Sequence, residues 1–547
     1  MANRNLSVGN VVALIGRSGG GVPNKPLRFG SPSQAIETLR NGELLTAVLK
    51  AFDPSSQTGG PSEVVAVRIN PALQSSLMLK DGADNNVAAL KSADYGLHTN
   101  QIKIKIESAS VAGKKITTAY GQAYYTKDNV HRDAFSLTYS GTGAATISVT
   151  NATLILKVDA VAVASIALED YPVMQQLVDR LNVVADFTAE VLDGNGNQKA
   201  LNGLDSLTDQ AVSSTPYTVT ANLQAVVDWI NSTSEGFVIA TREDNAGAVP
   251  ANIGYTYLTG GSDGIVTNTE WQNAFTTLQT VDVQWVVPIS GDSSIHAMTD
   301  THVSFMSNIG RMERRAIVGT VSGTTDAAAI DAAKAINSDR TSLVHLGFYD
   351  YDATGRLVLL EPYILAALLA GAFSGVNPGT ALTNKTIKVR GLERDLRNPT
   401  DTDQLINGGV LCVENTNSGF KVVKSISTWL VNKNYNRVEV STGVATDFVA
   451  RNVRQALDVL RGERGNPIAL SRAISIAEST LRELARPEPQ GPGVIVGDEA
   501  NPAYKNIVAS LEGDVLRVEF QASPVIPVNY IPVTIFAVPY SGTAVAA

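Results

Sequence analysis

A regular alternation of helical and strand patterns is the feature that most constrains the fold of this chain. It predicts helix 222–232, strand 236–241, helix 268–279, strand 281–288, helix 294–309, strand 315–321, helix 325–337, strand 342–348 and an apolar helix from residue 362. The strands at 283–287 and 343–348 are almost continuously apolar, as in a sheet that is covered on both faces. We therefore expect an α/β layer domain and place it at 216–400.

The segments around this layer divide the rest of the chain. Residues 21–94 contain a helix pair within 31–52 and are predicted to be the N-terminal part of the same core. Residues 95–215 change to Thr-rich alternating runs split by Gly and Asn, which predicts a β-rich insertion domain. The remaining predictions are an α+β domain at 401–524, with strands 419–427 and 514–521 and helices 446–461 and 469–486, and terminal arms at 1–20 and 525–547.

Composition argues against several kinds of function. The 547 residues carry 43 Lys and Arg against 52 Asp and Glu, a formal charge of -9, and such a surface repels nucleic-acid phosphates. The single cysteine, Cys412, forms neither an internal disulfide nor a thiolate cluster. The most apolar segment, Tyr363–Phe373, is shorter than the ~20 residues that span a bilayer, and the N-terminus lacks a signal-peptide pattern. We expect no nucleic-acid partner, no membrane insertion, no metal and no cofactor.

Two stretches match the nucleophile-elbow pattern G-x-S-x-G, around Ser18 and Ser262. An elbow needs a strand before the serine and a helix directly after it. Pro23 and Pro26 argue against such a helix after Ser18, and a Gly-rich match arises easily in a chain with 45 glycines. Turns are the favoured interpretation. A serine hydrolase is the alternative, and its candidate bases are His296, His302 and His345.

Apolar extended segments occur at both ends, where chains are ordinarily polar and frayed. The N-terminal residues are Leu6, Val8, Val11, Val12, Leu14 and Ile15. The C-terminal residues are Asn529, Ile531, Val533 and Ile535 on one strand face and Phe536 on the other. Prolines at 524, 527, 532 and 539 restrict this segment to a sheet edge. Each segment is expected to pair either with its own domain or with the sheet of another subunit.

A basic stripe follows one predicted C-terminal helix and its end. Its members are Arg451, Arg454, Arg461 and Arg464. Such a stripe is usually a solvated face, and a protein partner with an acidic surface is the alternative.

Several short stretches match a known family in order and spacing. They are Val11–Gly16, Gly30–Pro32 with the following helix pair, Leu258–Gly264, Asn337–Arg340, Pro362 with Ala366, Ala367 and Gly371, Thr383–Lys385, Gly391–Glu393, Gly513–Val515 and Asn529–Ile531. Together they extend over nearly all of the chain outside 95–215. In this pattern the chain resembles the tail sheath proteins of contractile phage tails and related injection machines.

The resemblance implies a structural protein without an active site. Six-subunit rings would stack helically around an inner tail tube, and their contraction would drive the tube through a cell envelope. The implied partners are further copies of the chain, the tube protein, and the baseplate and tail terminator proteins. The implied location is the contractile tail of a virion, after assembly in the host cytoplasm. A secreted β-rich binding module remains a further alternative and would be monomeric.

The resemblance also assigns roles to parts of the chain. The α/β layer would be similar to subtilisin-type proteins without their catalytic triad, and the insertion at 95–215 would face outward. The two terminal segments would add strands to sheets of adjacent subunits, alongside 419–427 and 514–521. The arginine stripe would hold the inner tube electrostatically.

Overall fold

A computed structural model describes residues 11–233, 235–244, 246–537 and 542 of the chain. The chain is a mixed α/β, multidomain protein and divides into two compact units. Unit 1 comprises residues 1–18, 24–69 and 266–547, and unit 2 comprises residues 19–23 and 70–265.

The described residues contain the following regular elements. The helices are α1 (Pro32–Leu39), α2 (Glu43–Phe52), α3 (Met174–Leu181), α4 (Asn222–Thr233), α5 (Asn268–Leu278), α6 (Ser293–Asn308), α7 (Asp326–Ile336), α8 (Pro362–Gly375), α9 (Thr400–Asn407), α10 (Tyr435–Val438), α11 (Val440–Leu457) and α12 (Pro467–Leu484). The first strands are β1 (Val11–Gly16), β2 (Pro26–Phe29), β3 (Glu63–Arg68), β4 (Ser76–Lys80), β5 (Asn86–Ser92), β6 (Lys103–Ser108), β7 (Lys114–Tyr120), β8 (Ala123–Val130), β9 (Asp133–Tyr139), β10 (Ala145–Val149), β11 (Thr153–Val158), β12 (Val161–Ala167) and β13 (Phe187–Val191). The others are β14 (Leu207–Val212), β15 (Tyr217–Thr220), β16 (Val238–Arg242), β17 (Ile253–Tyr257), β18 (Trp285–Pro288), β19 (Arg315–Gly319), β20 (Thr341–Val344), β21 (Phe348–Tyr351), β22 (Leu357–Leu360), β23 (Gly391–Leu392), β24 (Val413–Thr416), β25 (Gly419–Val422), β26 (Tyr504–Glu512) and β27 (Val515–Ala522).

Unit 1 is built on a six-stranded sheet in the order β2-β3-β1-β18-β19-β20. All pairs are parallel except β2 with β3. Val12 and Leu14 of β1 share a core with α2 and α8, whereas Ala13 and Ile15 share a core with α5 and α6. Because helices cover both faces, every second residue of a strand meets a different apolar layer, which explains the continuous apolar runs. The predicted α/β layer and its helices α5 to α8 are confirmed in this unit.

Helix α8 forms the centre of the larger core. Its side chains are almost all buried, and it begins with Pro362 in the first turn, where a missing N–H costs nothing. The Trp285 and Phe373 rings stack with centroids 4.8 Å apart, which joins α8 to β18. Gly371 is required where α8 meets α2, since a Cβ there would lie 2.1 Å from the carbonyl oxygen of Ala51. The absence of a side chain at this position allows the two helices to approach closely.

The C-terminal part of unit 1 is a smaller layer. Helices α11 and α12 pack together, and the antiparallel hairpin β26–β27 lies against them with Val518 and Phe520 toward their apolar faces. The predicted helices 446–461 and 469–486 correspond to α11 and α12, each displaced by a few residues. The boundary shift at α11 reflects its N-terminal turn, which is buried and carries no capping side-chain bond.

Unit 2 contains four antiparallel sheets, in the orders β12-β11-β10-β14, β13-β9-β15, β16-β5-β4 and β17-β6-β7-β8. The β-rich stretch predicted at 95–215 lies inside it, but the unit extends from residue 70 to 265. The extension arises because β16 pairs with β5 and β17 pairs with β6. Helix α4 and strand β16, which the alternation pattern assigned to the α/β layer, consequently belong to unit 2. Strand pairing between residues so far apart in the chain cannot be predicted from local sequence patterns.

Candidate assembly surfaces

The N-terminal strand β1 lies in the middle of the chain's own sheet. It pairs with β3 on one side and with β18 on the other, so that Leu14 is opposite both Ala66 and Val287. Both edges of β1 are therefore occupied, and the structure contradicts the predicted role of four residues as an exchanged arm. These residues are Val11, Val12, Leu14 and Ile15. Leu6 and Val8, predicted for the same arm, lie outside the described residues.

The C-terminal segment has the opposite character. Within residues 523–537 the structure assigns no strand, and beyond Tyr530 four large apolar side chains are between 74% and 85% exposed. These are Ile531, Val533, Ile535 and Phe536. A contiguous exposed apolar segment of this kind marks an interaction site or an aggregation liability.

The hairpin β26–β27 offers a surface that such a segment fits. In the described part of the chain the two strands form a separate two-stranded sheet, paired only with each other from Glu512 opposite Val515 to Tyr504 opposite Ala522. Val508 and Val515 are more than half exposed. A two-stranded ribbon is marginal by itself, and its outer edges present unpaired N–H and C=O groups in a row.

The strand predicted at 419–427 is observed as the shorter strand β25, and its second edge is less free to accept another strand than that of the hairpin. Strand β25 pairs with β24, and Lys421 also forms an isolated bridge with Thr386. A neighbouring carbonyl and amide therefore already occupy part of its second edge. Of the two predicted acceptor strands, the one at 514–521, observed as β27, has the freer edge.

Two of the four stripe arginines form ion pairs with other parts of the chain. Arg451 binds Asp282 through its Nη2 at 2.7 Å, and Arg454 binds Glu313 through its Nη2 at 2.7 Å. Glu313 is buried, and a buried carboxylate is costly unless it is paired. The guanidinium groups of Arg454 and, at 3.6 Å, of Arg451 compensate its charge. Both side chains join α11 to the loops preceding β18 and β19, which gives these two arginines a structural role within the chain, and their predicted contact with a tube stays a prediction.

The other two stripe arginines are exposed. Arg461 pairs with Asp458 at 2.8 Å, and Arg464 is exposed in the turn that follows. Both line a groove of about 990 Å³ between the end of α11, the start of α12 and the hairpin β26–β27. Its floor includes Leu460, Leu516 and Phe520. The groove combines an apolar floor with a charged rim, as protein interfaces do.

The structure does not build a nucleophile elbow. After Ser18 the next regular element is strand β2, and Ser262 lies in an irregular stretch bridged to Leu73, ahead of α5. The three candidate bases have other partners: His296 donates to the carbonyl oxygen of Ser290, His302 contacts Arg314, and His345 contacts Asp326. Burial and then the charge of Arg314 lower the pKa of His302 to about 3. The geometry gives the serine hydrolase interpretation no support.

The described residues offer neither a metal site nor a membrane span. There, no group of three or more His, Cys, Asp and Glu side chains is placed to hold a metal ion. Burial raises the pKa of the Cys412 thiol to about 12, so this cysteine is a buried thiol rather than a reactive thiolate. No helix in the described chain has the length and apolarity needed to cross a membrane.

The sequence relatives of the chain are phage proteins with similar names. No family model matches the chain. The tail sheath protein of Bacillus phage SP01 is 27% identical over 559 aligned residues, which cover 97% of this chain and 92% of that protein. The putative tail sheath protein of Enterococcus phage phiEF24C is also 27% identical, over 81% of this chain and 80% of its own length. Over nearly its whole length the chain is similar to phage tail sheath proteins.

Two solved structures of sheath tail proteins have a similar fold. A sheath tail protein from Listeria innocua aligns with a TM-score of 0.57 at 14% identity and covers 94% of this chain and 92% of its own. One from Desulfitobacterium hafniense aligns with a TM-score of 0.56 at 12% identity, with coverages of 96% and 95%. The tail sheath relatives favour a structural protein over both the hydrolase and the binding-module alternatives.

Proposed function

We propose that the chain is the structural subunit of a contractile tail sheath, a virion tail component that polymerises helically around an inner tube. The observation that carries this proposal is the juxtaposition, in a homologue of tail sheath proteins, of an exposed apolar C-terminal segment and an open-edged hairpin. Within the described chain, neither the outer edges of the hairpin nor the residues beyond Tyr530 have a strand partner, and each has the chemistry that the other needs.

Subunits are linked by strand addition at the C-terminus. The C-terminal segment of one copy, which begins at Asn529, extends from residue 531 along the edge of the β26–β27 hairpin of a neighbour, where backbone hydrogen bonds supply affinity and alternate side chains supply specificity. Leu6 and Val8 have the same proposed role at the N-terminus, with β1 as the fixed base from which they depart. The support for this base is the pairing of β1 on both sides.

Contraction is then a rigid-body rearrangement of linked subunits. The strand links persist while the globular bodies rotate, and larger contacts between bodies in the contracted lattice release the free energy. The extended cylinder is a kinetic trap in this scheme. The ion-pair attachment of α11 to the α/β layer supports it, because the hairpin and the layer then move as one body.

The proposal also covers the ring, the tube contact and the assembly partners. Six copies form each ring, the exposed Arg461 and Arg464 face the acidic surface of the inner tube, and the insertion at 95–215 faces outward. The α/β layer has a subtilisin-like arrangement, supported by a mainly parallel sheet covered by helices on both faces. The cylinder is assembled in the host cytoplasm with tube, baseplate and tail terminator proteins.

Negative-stain microscopy of the purified chain tests the proposal. We expect the full chain to form hollow helical cylinders, by itself or on added tubes. A chain that ends at Val528 keeps the body but lacks the strand-forming segment, so we expect folded monomers with an unchanged circular dichroism spectrum. Cylinders formed by the shortened chain would show that the C-terminal link is wrong, and a full chain that stays monomeric under all conditions would overturn the function.

A further inference from the structure

The first residues of the C-terminal segment, 523–525, are attached to the body of their own subunit. Pro524 forms an antiparallel bridge with Ile495. The Val525 amide donates to the carbonyl oxygen of Val494 at 3.1 Å, and the Thr442 hydroxyl donates to the carbonyl oxygen of Val525 at 3.1 Å. The segment is therefore fixed up to residue 525 by main-chain contacts, although β27 ends at residue 522.

The Asn529 side chain makes a second attachment four residues later. Its Oδ1 accepts a hydrogen bond from the Thr383 hydroxyl at 2.9 Å, and its Nδ2 donates to Glu439 Oε2 at 3.0 Å. The next residue, Tyr530, has its ring 5.3 Å from the ammonium group of Lys424, a cation–π distance. From residue 531 to 537 every residue is exposed.

Glu439 is an unusual partner for this amide. It lies at the N-cap of α11 without capping the helix through its side chain, and it is buried. A buried carboxylate is costly unless it is hydrogen-bonded. Its partners in the described chain are the Asn529 amide and, at 3.4 Å, the Ser441 hydroxyl. Burial raises the pKa of Glu439 to about 7, and the Asn529 hydrogen bond acts in the opposite direction. The Glu439 side chain therefore binds the C-terminal segment and does not cap its own helix.

We propose that Asn529 is a positioning residue, which Thr383 and Glu439 hold so that the exchanged segment leaves the body at residue 531 in a fixed direction. This inference rests on the proposed strand addition and assigns its starting point. The seven described residues beyond Tyr530 reach at most ~25 Å when extended, so the direction of departure decides which neighbouring hairpin they meet. Because residues 523–530 are already held in place, the segment also loses less conformational entropy when it binds.

Four variants of the full chain test this role. Asn529→Ala removes both hydrogen bonds, and Asn529→Asp places a second carboxylate against Glu439. The double variant Asn529→Asp with Glu439→Gln restores both bonds, because the new carboxylate accepts from Thr383 and from the Gln amide. Asn417→Asp, at an exposed turn, is the control that makes the same change of charge. Two measurements are needed: hydrogen exchange of residues 523–530 in unassembled chain, and cylinder formation by negative-stain microscopy.

We expect residues 523–530 to exchange at least ~10-fold faster in Asn529→Ala and Asn529→Asp, and cylinders to be lost or strongly reduced. The double variant should recover both properties, and Asn417→Asp should match the unaltered chain. Unchanged exchange would overturn the proposal, as would faster exchange with undiminished assembly. If the unaltered chain forms no cylinders, the proposed function fails instead, and the exchange rates still report separately whether Asn529 is held.

Discussion

At the residue scale, charge compensation decides what the buried ionisable groups do. Glu313 and Asp447 are each matched by two guanidinium groups, whereas Glu439 has only neutral hydrogen-bond donors and a more distant Lys424. Burial without a close cation favours the protonated carboxyl. The stability of the body should therefore depend on pH through Glu439.

The sign of this dependence follows from the raised pKa. Glu439 titrates near 4.5 when unfolded and near 7 in the folded chain, so the folded state binds more protons between these values. The free energy of unfolding should fall as pH rises from about 5 to about 8, with a contribution from this group on the order of 3 kcal/mol. Glu439→Gln removes this contribution while retaining hydrogen bonding. Chemical denaturation at pH 5 and pH 8 measures it.

Glu512→Gln, at an exposed position, is the matched control and should keep the pH dependence of the unaltered chain. A Glu439→Gln chain with that same dependence would show that the buried acid is not the titrating group.

At the element scale, helix α11 is attached to the amino ends of the parallel strands. Asp447 accepts from Nε of Arg315, the first residue of β19, at 3.0 Å and from Nη1 of Arg340, directly before β20, at 2.6 Å. Gly443 leaves room for the Arg315 guanidinium, since a Cβ there would lie 2.0 Å from Nη2. Removing this shared, largely buried carboxylate leaves the buried Arg315 and the half-buried Arg340 without their charge partner.

Asp447→Asn should consequently destabilise the attachment of α11 by about 3–5 kcal/mol. We expect faster hydrogen exchange across residues 440–457 and a lower denaturation midpoint. The control is Asp458→Asn, which removes a solvent-exposed pair with Arg461 and should change stability by less than about 1 kcal/mol. Equal effects of the two substitutions would argue against a structural role for the buried pair.

The same elements show how far sequence analysis reaches. Helices α5 to α8 are predictable because their apolar periodicity is local and strong. The role of β1 is not, since an apolar strand has the same pattern whether it joins the centre of its own sheet or pairs with another chain. Arg451 is likewise misleading: its helix position is local, but its partner Asp282 is 169 residues away. Glu439 lies in none of the matched stretches, and although Thr383 does, nothing in the sequence pairs it with Asn529, so only the fold brings the three residues together.

At the scale of the whole molecule, the proposed link is head-to-tail, because a segment of one copy meets a different surface of the next. Such heterologous contacts generate rings or open helical filaments rather than closed dimers. A chain that ends at Val528 would still accept a neighbour's segment on its hairpin but would donate none. In this arrangement the shortened chain acts as a terminator of growth.

Small amounts of the shortened chain should therefore shorten the cylinders formed by the full chain, progressively with its mole fraction. Length distributions from negative-stain images measure this effect at constant total protein. A full-length Val111→Asp chain, altered at an apolar residue of unit 2 that is 88% exposed, is the control and should leave the lengths unchanged at equal ratios. If the link were a symmetric contact between two C-terminal segments, the shortened chain would be excluded and cylinder lengths would not respond to it. A response that depends on dose therefore distinguishes donation of a strand to a hairpin from mutual pairing of the segments.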